Sequence, residues 1–209
     1  MKFSEKELQV IDVVEKLFAE KGFEGASVRD IAKEACGNVS MVSYYFGSKE
    51  KLLLAVFERR SEEMKSHISH LLDNDELTDL QKVNIFIDEF LSNIIKHKNL
   101  HKLLIREELF NRDAKTHALI YEFKKKTVAM ITKVIQHGID TGSFKKDVNI
   151  SLLLATLVGT TSQLFISQRF YAEAGGIGVT PDEEFTKELT KKLSDYLKGI
   201  FKVVLTGEL

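Results

Sequence analysis

Residues 27 to 49 read Ser-Val-Arg-Asp-Ile-Ala-Lys-Glu-Ala-Cys-Gly-Asn-Val-Ser-Met-Val-Ser-Tyr-Tyr-Phe-Gly-Ser-Lys, an order that leaves room for little besides two short helices around a tight turn. Ser27 and Asp30, three apart, make a capping box, while Val28, Ile31, Ala32 and Ala35 fall on one helical face. Cys36 and Gly37 supply the turn, with Gly37 taking the positive φ that a cysteine resists. The second helix is expected to bury Val39, Val42 and Phe46. Its other side then turns Asn38, Ser40, Met41, Ser43, Tyr44 and Tyr45 toward solvent or a groove. The pattern is that of a helix-turn-helix, whose outer face suits the edges of DNA bases.

Charge limits how such a face can work. The chain has 30 basic and 31 acidic residues, a net charge of -1, and its first 60 residues are balanced as well. Bulk positive charge therefore does not bring it to nucleic acid. From Ala35 to Ser48, however, no residue is charged, which leaves a neutral surface bounded by Lys33 and Lys49 with no acid of its own to repel phosphate. Weak nonspecific binding is the expected consequence.

The remaining sequence carries helix signals and no alternating strand pattern. Ser4 and Glu7 box the start of a first helix whose Leu8, Ile11, Val14, Leu17 and Phe18 lead to a stop at Gly22. Ser48 caps a fourth helix with Leu52, Leu53, Val56, Phe57 and Met64 inward, running to about Leu72. Thr78 with Gln81 opens a fifth through Phe86 and Phe90, and Leu100 to Asn111 and Lys115 to Asp140 continue the helical spacing. Gly142 and Asn149 bracket a loop before a helix through Leu152, Val158 and Phe165. Gly175, Gly176 and Gly178 break the chain there. Thr180, Pro181, Asp182, Glu183 and Glu184 then form a helix start ahead of Phe185, Leu189, Leu193, Leu197, Ile200 and Val204. The spacing predicts an all-α chain of about nine helices.

Gly22-Phe23, Ser27 to Ala32 and Tyr44 to Leu53 together resemble the DNA-binding half of the TetR family of transcriptional repressors. The match covers roughly the first 55 residues, and beyond it only length and helical pattern are similar. Two positions depart from the family's pattern: Cys36 stands where glycine is usual, and Gly37 where a branched apolar residue is usual. The resemblance implies a helix-turn-helix domain over residues 1–47 and a helical regulatory domain over 48–209 that binds a ligand and forms a homodimer through the last two helices. It further implies that Asn38, Ser40, Met41 and Ser43 face base edges, with Tyr44 sharing that work or touching backbone. Tyr45, Lys49, Ser27 and Arg29 would hold phosphates, for which a helix N-terminus, a phenol and an ammonium are ordinary donors. A small molecule entering the second domain would move the fourth helix and release a palindromic operator. Aromatic, flexible or polar residues on inward faces nominate Phe57, Met64, Phe86, Phe90, Arg106, Tyr121 and Phe165 for that site.

The other candidates carry less. His97 with His101, and His67 with His70, have ligand-like spacing but no cysteine nearby, so no metal is expected, nor any cofactor. Arg106, Glu107 and Glu108 sit in an otherwise apolar segment, where exposed ion pairs are the ordinary outcome. Cys36 has no adjacent histidine to activate it. The lack of nucleophile, metal set or phosphate loop argues against an enzyme, and leaves an architectural or partner-binding DNA protein without an inducer as the alternative. Met1 to Glu7 lacks the apolar core of a signal peptide, no apolar run reaches ~18 residues, and a lone cysteine fits a reducing compartment, so a cytoplasmic location is expected.

Overall fold

The structure is a computed structural model that describes residues 3–35, 37–110, 113–174 and 183–208. Among these the chain is all-helical: α1 Glu5–Gly25, α2 Val28–Ala35, α3 Val39–Phe46, α4 Lys49–Leu72, α5 Asp79–Lys96, α6 Lys98–Phe110, α7 Ala114–Asp140, α8 Ile150–Ile166, α9 Gln168–Ala174 and α10 Glu183–Thr206. The tenth helix arises where one continuous helix was expected after Asn149. Ser167 (φ -107°, ψ 26°) closes α8 by donating its N–H to Gln163 O at 3.0 Å, and α9 begins at the next residue. Cys36 and the glycine and proline signals from Gly175 to Asp182 lie outside the described residues.

Local side-chain chemistry sets the helix starts. Ser4 and Glu7 complete the expected box on α1, Ser27 and Asp30 do so on α2, and Thr78 and Gln81 do so on α5. Asn149 Oδ1 accepts Leu152 N–H at 3.1 Å to open α8. Each cap satisfies amides the helix itself cannot pair, which is worth about 1 kcal/mol. One expected stop differs. At Gly22 the backbone leaves helical geometry (φ 81°, ψ 165°), yet the helix resumes and runs to Gly25, so that glycine makes a kink rather than an end.

The chain divides into two compact units, residues 1–67 with 94–127, and residues 68–93 with 128–209. This division does not follow the functional boundary expected at residues 47 and 48, because α6 and the start of α7 group with the first three helices. The first unit closes over Ile11, Val14, Leu17, Phe18, Ile31, Val42, Leu53, Val56 and Leu103, with the Phe57 and Phe123 rings stacked 4.6 Å apart. In the second, Val83, Ile87, Leu91, Ile131, Ile135, Leu157, Leu193, Leu197 and Phe201 are buried. No single helix among the described residues is long and apolar enough to cross a membrane.

A candidate nucleic-acid interface on α2 and α3

The reader pair is built from the inside out. Val42 and Phe46 anchor α3 in the first unit's core beside Ile31 and Ala32 of α2. Val39 does not join them. It is the first residue of α3, beyond the edge of that core, and is 41% exposed, a correction to the buried side read from spacing. Gly37 holds φ 70°, the left-handed geometry the turn requires. Asn38 is the N-cap of α3, its Oδ1 accepting Ser40 N–H at 2.8 Å, and so its carbonyl oxygen serves the helix start.

What remains outward is Ser40, Ser43 and Tyr44, the last 84% exposed, with Met41 and Tyr45 half-buried. Tyr44 and Tyr45 meet edge to face at 5.5 Å. Arg29 is exposed on α2. The Ser27 hydroxyl is engaged by Asp30 at 2.9 Å, and the backbone N–H and hydroxyl of Ser27 together hold the Asp30 carboxyl below its ordinary range. Lys49 opens α4 with its ammonium 4.4 Å from the Phe23 ring centroid and 3.5 Å from Glu24 O. That contact is worth about 0.5–1 kcal/mol and keeps the cation at the margin of the α3 surface.

Between α1 and α4 runs a polar framework. Arg60 of α4 keeps its side chain only 9% exposed and donates through Nε and Nη2 to Glu15 Oε2 of α1 at 3.0 and 2.8 Å, and through Nη1 to Glu63 at 3.0 Å. Arg59 reaches Asp12 at 2.7 Å. His97 Nε2 is 3.7 Å from Glu63, too far to hydrogen-bond. Burial, then the Arg60 charge, pushes His97 down to about 4, so at neutral pH it is uncharged and forms no ion pair. The ties to Glu63 span three and four residues, whereas those to Glu15 and Asp12 span 45 and 47 residues and leave no local signal. Arg106 also departs from expectation, since its guanidinium lies on the carbonyls of Glu20 and Lys21 in α1 at 2.8 and 3.0 Å.

The other residues nominated for a ligand divide between the units, Phe57, Met64 and Tyr121 in the first and Phe86, Phe90 and Phe165 in the second. Phe57, Phe86 and Phe90 are buried, Met64 and Phe165 half-buried, and Tyr121 is 66% exposed, against the inward face expected for it. A cleft of about 410 Å³ in the second unit is instead lined by Thr160, Gln163, Leu164, Tyr171, Leu189, Lys192, Leu193 and Tyr196, none of them nominated. No group of three or more metal-ligating side chains occurs among the described residues.

Residues 10–56 match the family described as bacterial regulatory proteins, tetR family. That segment is a TetR-family DNA-binding domain. The chain is 24% identical over 160 residues to the fatty acid metabolism regulator protein of Bacillus subtilis, covering 76% of this chain and 80% of that one. The fold is shared with the fatty acid degradation regulator FadR from Bacillus halodurans, with a TM-score of 0.71 at 19% identity over 91% of this chain and 97% of the other. It is shared also with Bacillus subtilis FadR, solved in complex with stearoyl-CoA, with a TM-score of 0.68 at 19% identity over 91% and 96% of the two chains. These relatives are transcriptional regulators, and the matched segment of this chain is the DNA-binding part of such a protein. That segment ends within α4, after all of α2 and α3.

Proposed function

We propose that this regulator is a homodimeric, cytoplasmic repressor that reads a palindromic operator through α3 and is released by a small apolar or aromatic effector. The observation that carries this reading is the α3 surface, exposed and uncharged, on a helix anchored from behind by Val42 and Phe46. Ser40, Met41, Ser43 and Tyr44 face base edges. Asn38 joins them from the helix N-terminus, whose positive dipole end also favours a phosphate. Arg29, Tyr45 and Lys49 flank that surface as phosphate donors, and Ser27 would join them by exchanging its hydrogen bond to Asp30 for one to phosphate.

Dimerisation is supported by two stripes in the second unit. Leu152, Ala155, Val158, Gly159 and Ile166 of α8, and Tyr196, Gly199, Val203 and Val204 of α10, are exposed, and a Cβ at either glycine would meet nothing within 4 Å. Apolar stripes with small residues admit a partner's helices closely, and a two-fold pair demands matching half-sites. The division of labour is residues 1–47 for reading and 48–209 for regulation. Stearoyl-CoA bound to the Bacillus subtilis FadR favours an effector with an apolar chain. Its differential affinity for the free and DNA-bound forms fixes how far it shifts binding, commonly ~1–3 kcal/mol.

Sequences selected from a random DNA pool should contain an inverted repeat, and light scattering should give about twice the 23.8 kDa chain mass. Compounds from a thermal-shift screen, titrated into the complex, should loosen it. A monomer at micromolar concentration, or selected sites without inverted symmetry, would contradict the dimer. Stabilising compounds that leave operator affinity untouched would favour the inducer-free alternative.

A further inference from the structure

Arg106 and Glu107 grip α1 at the one place where it is not helical. On one side of the Gly22 kink, Arg106 donates Nη1 to Glu20 O at 2.8 Å and Nη2 to Lys21 O at 3.0 Å. On the other, Glu107, only 4% exposed, accepts Phe23 N–H at 2.8 Å. Two adjacent residues of α6 thus pair carbonyls before the kink and the amide after it. Gly22 is fitted to this grip twice over: its φ is 81°, and a Cβ there would stand 2.8 Å from Arg106 Nε.

The gripped segment is the joint from which both ends of the reader are set. Phe23 packs edge to face on Phe18 at 5.3 Å and carries the Lys49 ammonium of α4 on its ring. Three residues further, buried Ala26 leads into the Ser27 cap of α2. Displacing Phe23 therefore shifts the start of α2 and the start of α4 together, and α3 lies between them in the chain. We propose that Arg106 and Glu107 are positioning residues for DNA reading, fastening the Gly22 kink so that α3 is presented at one fixed angle. They act through backbone that touches no DNA, and their effect is on geometry rather than on contact.

The test separates positioning from stability. In the full-length protein, Glu107→Leu should speed exchange of the Phe23 amide at least about tenfold, whereas Glu107→Gln, which keeps an acceptor, should leave it within about threefold of the parent. Arg106→Ala should also flatten the preference for half-site spacing. Where the parent loses about tenfold in affinity when one base pair is inserted between half-sites, the variant should lose about threefold or less, with Arg106→Lys intermediate because it cannot fork to two carbonyls. The spacing arm rests on the dimeric reading proposed above. A parent indifferent to spacing would sink that reading, while the exchange arm would still judge the grip. If the parent discriminates and Arg106→Ala discriminates equally, or if melting temperature alone falls, the two residues are merely stabilising and the proposal is overturned.

Discussion

The two units expose different things. On α3 itself the first unit leaves serine hydroxyls, a tyrosine and no charge in the open, and it ties several of its charged side chains between helices: Arg60 to Glu15, Arg59 to Asp12, Arg106 and Glu107 to α1. The second unit also has ties, Asp79 to His137 and Thr141, and Asp88 to Ser194 and Lys198. What it leaves open on α8 and α10 includes, by contrast, aliphatic stripes with Leu152, Val158, Ile166 and Val203. Polar groups held at fixed positions can read polar edges, whereas aliphatic stripes are relieved only by more protein. The proposed reading surface and the proposed pairing surface thus differ in what each leaves unburied.

The largest effects should come from the interiors, where the units ought to differ in consequence rather than cost. Phe18→Ala and Phe201→Ala each remove a fully buried ring and should each cost ~3–5 kcal/mol in urea unfolding. Phe18→Ala should also weaken operator binding by the protein that stays folded, because it loosens the seat of Phe23. Phe201→Ala should leave base preference unchanged. Equal effects on DNA from both would erase the contrast between the units.

Next comes the framework between α1 and α4. Glu15→Leu leaves the largely buried Arg60 side chain without its main partner and should cost roughly 3 kcal/mol, measured by chemical denaturation. The exposed pair Arg169 with Glu173, cut in the same way, should cost under about 0.5 kcal/mol.

Acid should probe the same framework. His97 is pushed down to about 4 in the folded protein, so between pH 6.5 and 4 the unfolded chain takes up a proton that the folded one refuses. That stabilisation is complete above pH 6.5 and is lost as pH falls through this window, by up to ~3 kcal/mol. Burial shifts His101 in the same direction. Melting temperature followed against pH should fall across the window, and His97→Gln should flatten the slope. An unchanged slope would remove His97 from the framework.

Smaller still are the caps. Ser27→Ala and Thr78→Ala should each cost ~1 kcal/mol, one in each unit, and only Ser27→Ala should weaken DNA binding.

The caps and the reader were legible because their partners lie two or three residues apart, within one turn of chain. Ser27 with Asp30, Thr78 with Gln81 and the face of Val42 and Phe46 needed no tertiary knowledge. Arg106 was misplaced because nothing local distinguishes a guanidinium facing a pocket from one on carbonyls 85 and 86 residues earlier. The burial of Glu107 was hidden for the same reason. Val39 followed the right spacing and still fell outside the core, since periodicity names a face and not how far along it the core extends. Exposed Tyr121 shows the same limit, and the Gly22 kink was read as a stop because a positive φ there serves either purpose.

The central claim is that α3 reads DNA from a surface the rest of the first unit holds still. Selecting DNA from one random pool with the parent, Met41→Ala, Ser43→Ala and Tyr44→Ala, beside a Tyr121→Ala control, tests it most directly. The account predicts an inverted repeat for the parent, altered preferred bases for α3 variants that melt within a few degrees of it, and a control whose selected sequences match the parent's. Identical selected sequences from all five proteins would contradict it and place the reading surface elsewhere.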